Sequence, residues 1–145
     1  MPSAPPNSNS EKSEIKWVLP QGWTTAPASP MRFASFAVEN NGEKADISVV
    51  TFPGDGGTDV DNINRWRQQI GLPIVGAEIL KPMIAPVHAH DIHLDSVDMS
   101  GPTARVLAAW TRHNGSAWFF KMTGPPALVE QEKPKFVQFL QSIRF

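Results

Sequence analysis

Followed by its alternation of apolar and polar positions, the chain gives strands, one helix, more strands and a closing helix. Residues 31–38 (MRFASFAV) and 45–52 (ADISVVTF) are short apolar runs with the two-residue rhythm of β-strands. In the second run Ile47 and Val49 fall on one side and Val50 and Phe52 on the other. Apolar residues on both sides of a strand predict a sheet that is covered, at least in part, on each face. Asn40-Asn41-Gly42 between the runs is a hairpin signal, because Asn and Gly tolerate the positive φ of a tight turn. Residues 88–99 and 104–113 predict two further strands around Ser100-Gly101-Pro102, and Asn114-Gly115 predicts a second hairpin into a last long strand over 117–123.

Between the strand groups, residues 59–70 predict a helix. Val60, Ile63, Trp66 and Ile70 fall within about 120° of one face. Thr58 can cap its start with Asp61 three residues later, and Gly71 suits the left-handed residue after its end. Leu72-Pro73 then turns the chain, and residues 74–86, broken by Pro82 and Pro86, predict an irregular excursion. Near the C-terminus Gly124-Pro125-Pro126 interrupts the chain. Pro134 is expected in the first turn of a closing helix with the stripe Phe136, Val137, Leu140 and Ile143. Strands joined mostly by tight hairpins, with two helices to pack on them, predict an α+β fold: a central antiparallel sheet of about five to seven strands flanked by helices.

Composition adds the domain count. The 145 residues, 41% hydrophobic and 19% charged, fit one packed domain, expected over residues 15–145. Residues 1–14 (MPSAPPNSNSEKSE) are rich in Pro, Ser and Asn and predict a disordered tether. Such a tail fits an exported or membrane-tethered protein whose leader or lipid-anchor segment lay upstream, with a Met supplied for expression; a cytoplasmic protein with a loose tail is the alternative. A net charge of −1 supplies no global field for nucleic acid, so a nucleic-acid partner is not expected. The absence of cysteine removes disulfides, thiolate catalysis and cysteine-ligated metals. No run approaches the roughly 18 apolar residues that span a bilayer.

Three constellations are candidates for chemistry. The first is His88-Ala-His90-Asp91-Ile-His93-Leu-Asp95. On one continuous strand His88 and His90 would share a side at a metal-ligand spacing, with His93 facing away unless a bulge intervenes. Imidazole with carboxylate would suit zinc, copper, nickel or iron; the competing expectation is a polar strand face with solvated histidines. The second is Gly54-Asp-Gly-Gly57-Thr58 ahead of the helix, a place where anions often sit. It lacks the P-loop lysine and is crowded by Asp55, Asp59 and Asp61, so a loop that turns and caps its helix is expected. The third is the polar side of the helix: Asn62, Asn64, Arg65, Arg67 and Gln68 could meet a partner, since Arg and Trp are enriched at binding hot spots. There Trp66 is expected in the core, Arg65 is expected to pair with Asp61, and the Arg67 stem to cover Trp66. No nucleophile elbow surrounds Ser35, Ser48, Ser96 or Ser116, so no catalytic residue is assigned.

The terminal pattern W-F-F-K-M-T-G-P followed by K-x-x-F-x-x-F-L-x-S-I-x-F, with the opening W-x-L-P-x-G-W at residues 17–23, resembles the PsbP/Mog-like superfamily. The stretch Asn62-Ile-Asn-Arg-Trp-Arg-Gln-Gln-Ile-Gly-Leu-Pro73 is similar to a motif of uncharacterised exported bacterial proteins related to that group. The resemblance covers about residues 15–145. It implies an antiparallel sheet flanked by helices, and an accessory function: members include a photosystem extrinsic subunit and a Ran-binding factor, neither carried over here. The resulting expectation is a non-enzymatic module that binds an unknown protein partner at the cell envelope, with no cofactor. The alternatives are a metal-binding protein using His88, His90 and His93, and a small hydrolase with an unrecognised site.

Overall fold

The computed structural model describes residues 15–27 and 29–145; the tether expected over residues 1–14 lies outside the described residues. Seven strands form one sheet: β1 (Thr24–Thr25), β2 (Ala34–Asn40), β3 (Glu43–Pro53), β4 (Ala85–Ala89), β5 (Ile92–Ser100), β6 (Arg105–His113) and β7 (Ser116–Gly124). Their spatial order is β1-β2-β3-β7-β6-β5-β4, with every neighbour antiparallel. Helices α1 (Asp59–Gln69), α2 (Ala77–Leu80) and α3 (Pro126–Gln141), with a 3-10 turn at Lys81–Met83, complete the α+β architecture.

Both Asn-Gly hairpins form as the sequence predicts, with Asn41 at φ 53 and Gly42 at φ 79, and Asn114 at φ 49 and Gly115 at φ 79. A third hairpin is a correction. The single strand expected over 88–99 is folded at His90–Asp91 into β4 and β5, because His90 takes a left-handed φ of 51. Histidine, like Asn and Asp, is enriched in that region. The excursion over 74–86 is also more regular than expected, since Ala77–Leu80 buries Leu80 and β4 begins at Ala85.

The sheet has two apolar faces, each with its own helix. On one face, Phe36, Ile47, Val49, Leu107 and Phe120 pack with Leu128, Val129, Phe136, Phe139 and Leu140 of α3. Phe139 is central, its ring centroid 5.4 Å from Trp23, 5.7 Å from Trp17 and 6.0 Å from Phe36. The buried Glu132 carboxylate accepts a 2.9 Å bond from Trp23 Nε1, tying the N-terminal segment to α3. Helix α3 starts at Pro126, not near Pro134 as expected. Pro134 lies inside the helix and lacks the N–H that would bond the Glu130 carbonyl, but both residues are on its exposed side, where water can satisfy that carbonyl.

On the other face, Ile63 and Trp66 of α1 and its C-cap Ile70 pack over Val97, Val106, Ala108, Trp110 and Phe119. These strand residues come from β5, β6 and β7, so α1 covers the half of this face remote from β2. Thr58 caps α1 as expected, its hydroxyl accepting from the Asp61 N–H, and Gly71 is left-handed at φ 81. The end of α1 abuts the β5–β6 turn. A Cβ placed on Gly101 would lie 2.0 Å from the Ile70 carbonyl oxygen.

Ions hold α3 to the sheet at one corner. Arg105 donates two bonds to the Asp98 carboxylate at 2.8 and 2.7 Å, Lys133 of α3 donates to the same carboxylate at 2.7 Å, and Arg105 also reaches Glu130 of α3. The hydrogen bonds from Arg105, the largest effect, hold the Asp98 carboxyl below its ordinary range.

Two outcomes follow. Gly101→Ala forces a methyl group onto the Ile70 carbonyl and should cost about 2–3 kcal/mol, a substantial drop in thermal midpoint by calorimetry; an unchanged midpoint would show that the turn yields freely. The Asp98 carboxyl has a folded pKa below its unfolded value, so its contribution is present above about pH 4 and is lost as pH falls through the lower folded value. Asp98→Asn should therefore lower the urea midpoint at pH 7 and reduce the loss of stability on acidification below pH 4.

Candidate functional site

Because α1 stops short of β2 and β3, a groove runs along the boundary between helix and open sheet. Its volume is about 250 Å³. Strand alternation supplies its base. Ala45, Ile47 and Val49 face α3, which leaves Ser48, Val50 and Phe52 facing α1. In β7, Trp118, Phe120 and Met122 likewise face α3, leaving Phe119 and Lys121 on the groove side. Register sets the pairs across the groove: Ser48 opposite Lys121, and Val50 opposite Phe119. Trp66, Arg65 and Gln69 of α1 form one wall, and Met31 and Arg32 of the segment before β2 form the other.

Three cations meet this apolar surface. Arg32 is neutralised, bonding the Asp46 carboxylate at 2.9 and 2.8 Å and the Ser35 hydroxyl at 3.2 Å. Arg65 bonds the neutral Asn62 Oδ1 at 2.7 Å, and Lys121 bonds the neutral Gln69 Oε1 at 3.2 Å. Among the described residues neither Arg65 nor Lys121 forms an ion pair. Burial, first, and then the charge of Arg32 lower the Lys121 pKa from its ordinary value; Asp46 opposes and Arg65 reinforces the shift.

A second hollow of about 300 Å³ lies between β4–β5 and α3, lined by Val87, Leu107, Phe136 and Leu140. Its charged groups, Asp98 and Lys133, are already paired with each other. The groove beside α1 is thus distinguished by positive charge that the described residues leave uncompensated.

The polar residues singled out on α1 divide into two sets. Asn62 donates to the Gly56 carbonyl at 3.0 Å and so clamps the glycine-rich loop to the helix. Asn64 makes two bonds to the Val75 backbone, at 2.8 and 3.0 Å, and Arg67 Nε donates to the Pro73 carbonyl at 2.9 Å. These three hold the chain that leaves and enters α1. Arg65 lines the groove, bonded to Asn62 in place of the expected Asp61, and Gln68 is exposed. The glycine-rich loop turns and caps as expected: the Asp55 carboxylate accepts from the Gly57 N–H, and Gly56 sits where a Cβ would be 2.7 Å from that of Ala117.

The third hairpin rearranges the histidines. His88 and His93 are cross-strand partners with ring centroids 5.2 Å apart, and His90 occupies the turn. His93 Nε2 lies 3.1 Å from Asp95 Oδ1. The pair that shares a face is therefore His88 and His93, not His88 and His90 as a continuous strand would have it. Among the described residues no group of three or more His, Cys, Asp or Glu side chains is placed to hold a metal ion.

Ser48 and Lys121 are neighbours, but Lys121 donates to Gln69, and no hydrogen bond joins the two as a nucleophile and its base require. No helix among the described residues is long and apolar enough to cross a membrane.

No family model matches the chain, and no curated protein matches it. Solved structures do. The solution structure of the cyanobacterial PsbP (CyanoP) of Synechocystis sp. PCC 6803 is 15% identical, with a TM-score of 0.56 over 92% of this chain and 87% of that one. The fold is PsbP-like. The crystal structure of LpqN of Mycobacterium tuberculosis, a protein involved in cell envelope biogenesis, is 10% identical with a TM-score of 0.52, over 90% of this chain and 83% of that one. At these identities the likeness is one of fold, as the resemblance in sequence implied.

Arg32, Ser48, Gln69 and Lys121 were not candidates on sequence alone. The available signal was Lys121 itself, a charge set among the large apolar residues of residues 118–122 (WFFKM).

Lys121 has a lowered folded pKa, so the unfolded chain binds more protons between the two values and stability rises with pH there. At neutral pH the folded protein carries an unfavourable charge, and Lys121→Met should raise the thermal midpoint at pH 7 by a few degrees, an effect that shrinks above the ordinary lysine range near pH 10.4. Equal midpoint changes at pH 7 and above pH 10.4 would refute this assignment.

Proposed function

We propose that the chain is a non-enzymatic accessory domain of the cell envelope that holds a protein partner along the groove between α1 and the open half of the sheet. The observation that carries this reading is the placement of Arg65 and Lys121, without ion pairs among the described residues, on an apolar surface of Val50, Phe52, Trp66 and Phe119. Arginine and aromatic side chains are enriched together at interface hot spots. The rim continues the apolar surface outward, with Met31 70% and Phe52 39% exposed. Of the residues first considered for partner contact, Arg65 and Gln68 are the ones turned outward, while Asn62, Asn64 and Arg67 position the helix that presents them. The envelope location is supported by the likeness in fold to LpqN, and export with a tether upstream agrees with it.

A photoreactive residue at Gln68, in protein returned to envelope preparations of its host, should give one discrete cross-linked species. Arg65→Glu should reduce that species at least tenfold. The same residue at Gln138, exposed on α3, should not give it. Equal cross-linking from both positions, or none from Gln68, would refute the groove as the contact.

A further inference from the structure

The groove has a ligand chemistry of its own. Lys121 stands half-buried at its base, Arg65 exposed on the α1 wall, and the exposed apolar side chains Met31 and Phe52 border it. Lys121 is half-buried and opposite Ser48, which is 4% exposed, lines the groove, and has a hydroxyl that makes no hydrogen bond with a described residue. Arg65 and Gln69 stand on the helix above them, with Gln69 accepting from Lys121 and Asn62 accepting from Arg65. These groups converge as donors: an ammonium, a guanidinium and a hydroxyl. The acceptors now serving the two cations are neutral amides, which an anion can replace with stronger, charge-assisted bonds. Arg32 differs, because Asp46 already holds it in a two-bond pair.

Size and rim decide the kind of occupant. A volume of about 250 Å³ lies below the range of roughly 300–1,000 Å³ usual for drug-sized ligands. It suits one carboxylate side chain with an apolar neighbour. The exposed Met31 and Phe52 extend the apolar surface beyond that volume, so the occupant is larger than what the groove encloses. A polypeptide satisfies both conditions, with one residue inserted and the adjoining chain covering the rim.

We propose that the groove recognises an acidic–apolar segment of a protein partner, an Asp or Glu carboxylate seated between Lys121 and Arg65 and an adjacent aromatic or aliphatic side chain packed on Trp66, Phe119 and Phe52. This rests on the reading of the groove as the partner contact and adds the chemistry of what is bound. Recognition of this kind is weakened by salt and lost when the carboxylate becomes an amide.

The test uses the full chain, isotopically labelled, titrated by amide NMR with blocked peptides containing Glu-Phe, Gln-Phe or Glu-Ser, and separately with octanoate and inorganic phosphate. Glu-Phe should shift the Ser48, Gln69 and Lys121 amides saturably, with at least tenfold tighter binding than Gln-Phe or Glu-Ser. Lys121→Met, expected to fold, should abolish the preference for Glu over Gln; Arg65→Gln on the exposed helix surface provides a second variant that should weaken it. Equal binding of Glu-Phe and Gln-Phe, or no saturable shift in the groove, overturns the proposal. Tighter binding of octanoate or phosphate than of Glu-Phe overturns the peptide assignment in favour of a free anion. If Glu-Phe fails while cross-linking from Gln68 persists, the acidic chemistry falls and the partner contact stands; if both fail, both fall.

Discussion

The ladder between β3 and β7 is the contact on which the rest of the molecule depends. It runs from Asp46 opposite Thr123 to Pro53 opposite Ser116, and it joins hairpins from opposite ends of the chain. β2–β3 and β6–β7 each close locally through an Asn-Gly turn, so each forms from nearby residues. Their union closes a long loop whose entropy the merged core must offset. Both faces are buried at this seam: Ile47, Val49, Phe120 and Met122 beneath α3, and Phe119 beneath α1. A slip of one residue would exchange the two faces of β3 relative to β7, putting Ser48 into the core and Ile47 into the groove, which is why the register is strongly specified.

The same seam creates the groove. It lies on the boundary between strands that α1 covers and strands it leaves open, and the register alone sets Ser48 beside Lys121. The loops at the ends of α1 determine how far the helix reaches. Asn62 holds the glycine-rich loop before it, Asn64 and Arg67 hold the segment after it, and Gly101 permits the close approach of Ile70. Polar side chains that a surface reading would assign to a partner thus spend their hydrogen bonds on backbone, and so determine where Arg65 and Trp66 stand. The sheet's opposite face serves a different purpose: α3 lies across it with the Asp98–Arg105–Lys133 network at one corner, closing charge against charge.

Most of the architecture was legible in the pattern of residues because its causes are local. Asn41-Gly42 and Asn114-Gly115 carry their turn geometry with them, Thr58 and Gly71 bound α1, and the two-sided apolar character of 45–52 foretold cover over part of each face. The readings that changed were those in which local signals compete. His90 is compatible with a strand, and pairing of Leu94 with Val87 favours a turn there instead. Pro134 is a good first-turn residue, yet the apolar stripe reaches back through Leu128 and Val129, and burial of that stripe outweighs one missing hydrogen bond on the exposed side.

The sequence by itself determined the class of fold, the hairpins, the caps of α1 and the residues that must be buried, because each follows from the conformational and apolar preferences of neighbouring residues. It could not determine the groove. Arg32, Ser48, Arg65, Gln69 and Lys121 come from four separate segments, and of these the sequence pattern marked Arg65 alone. Only the sheet register and the reach of α1 brought them together. Only burial turned Lys121 from one charge among many into a cation short of a counter-ion, since a charge's cost depends on what surrounds it in space and not on what adjoins it in the chain.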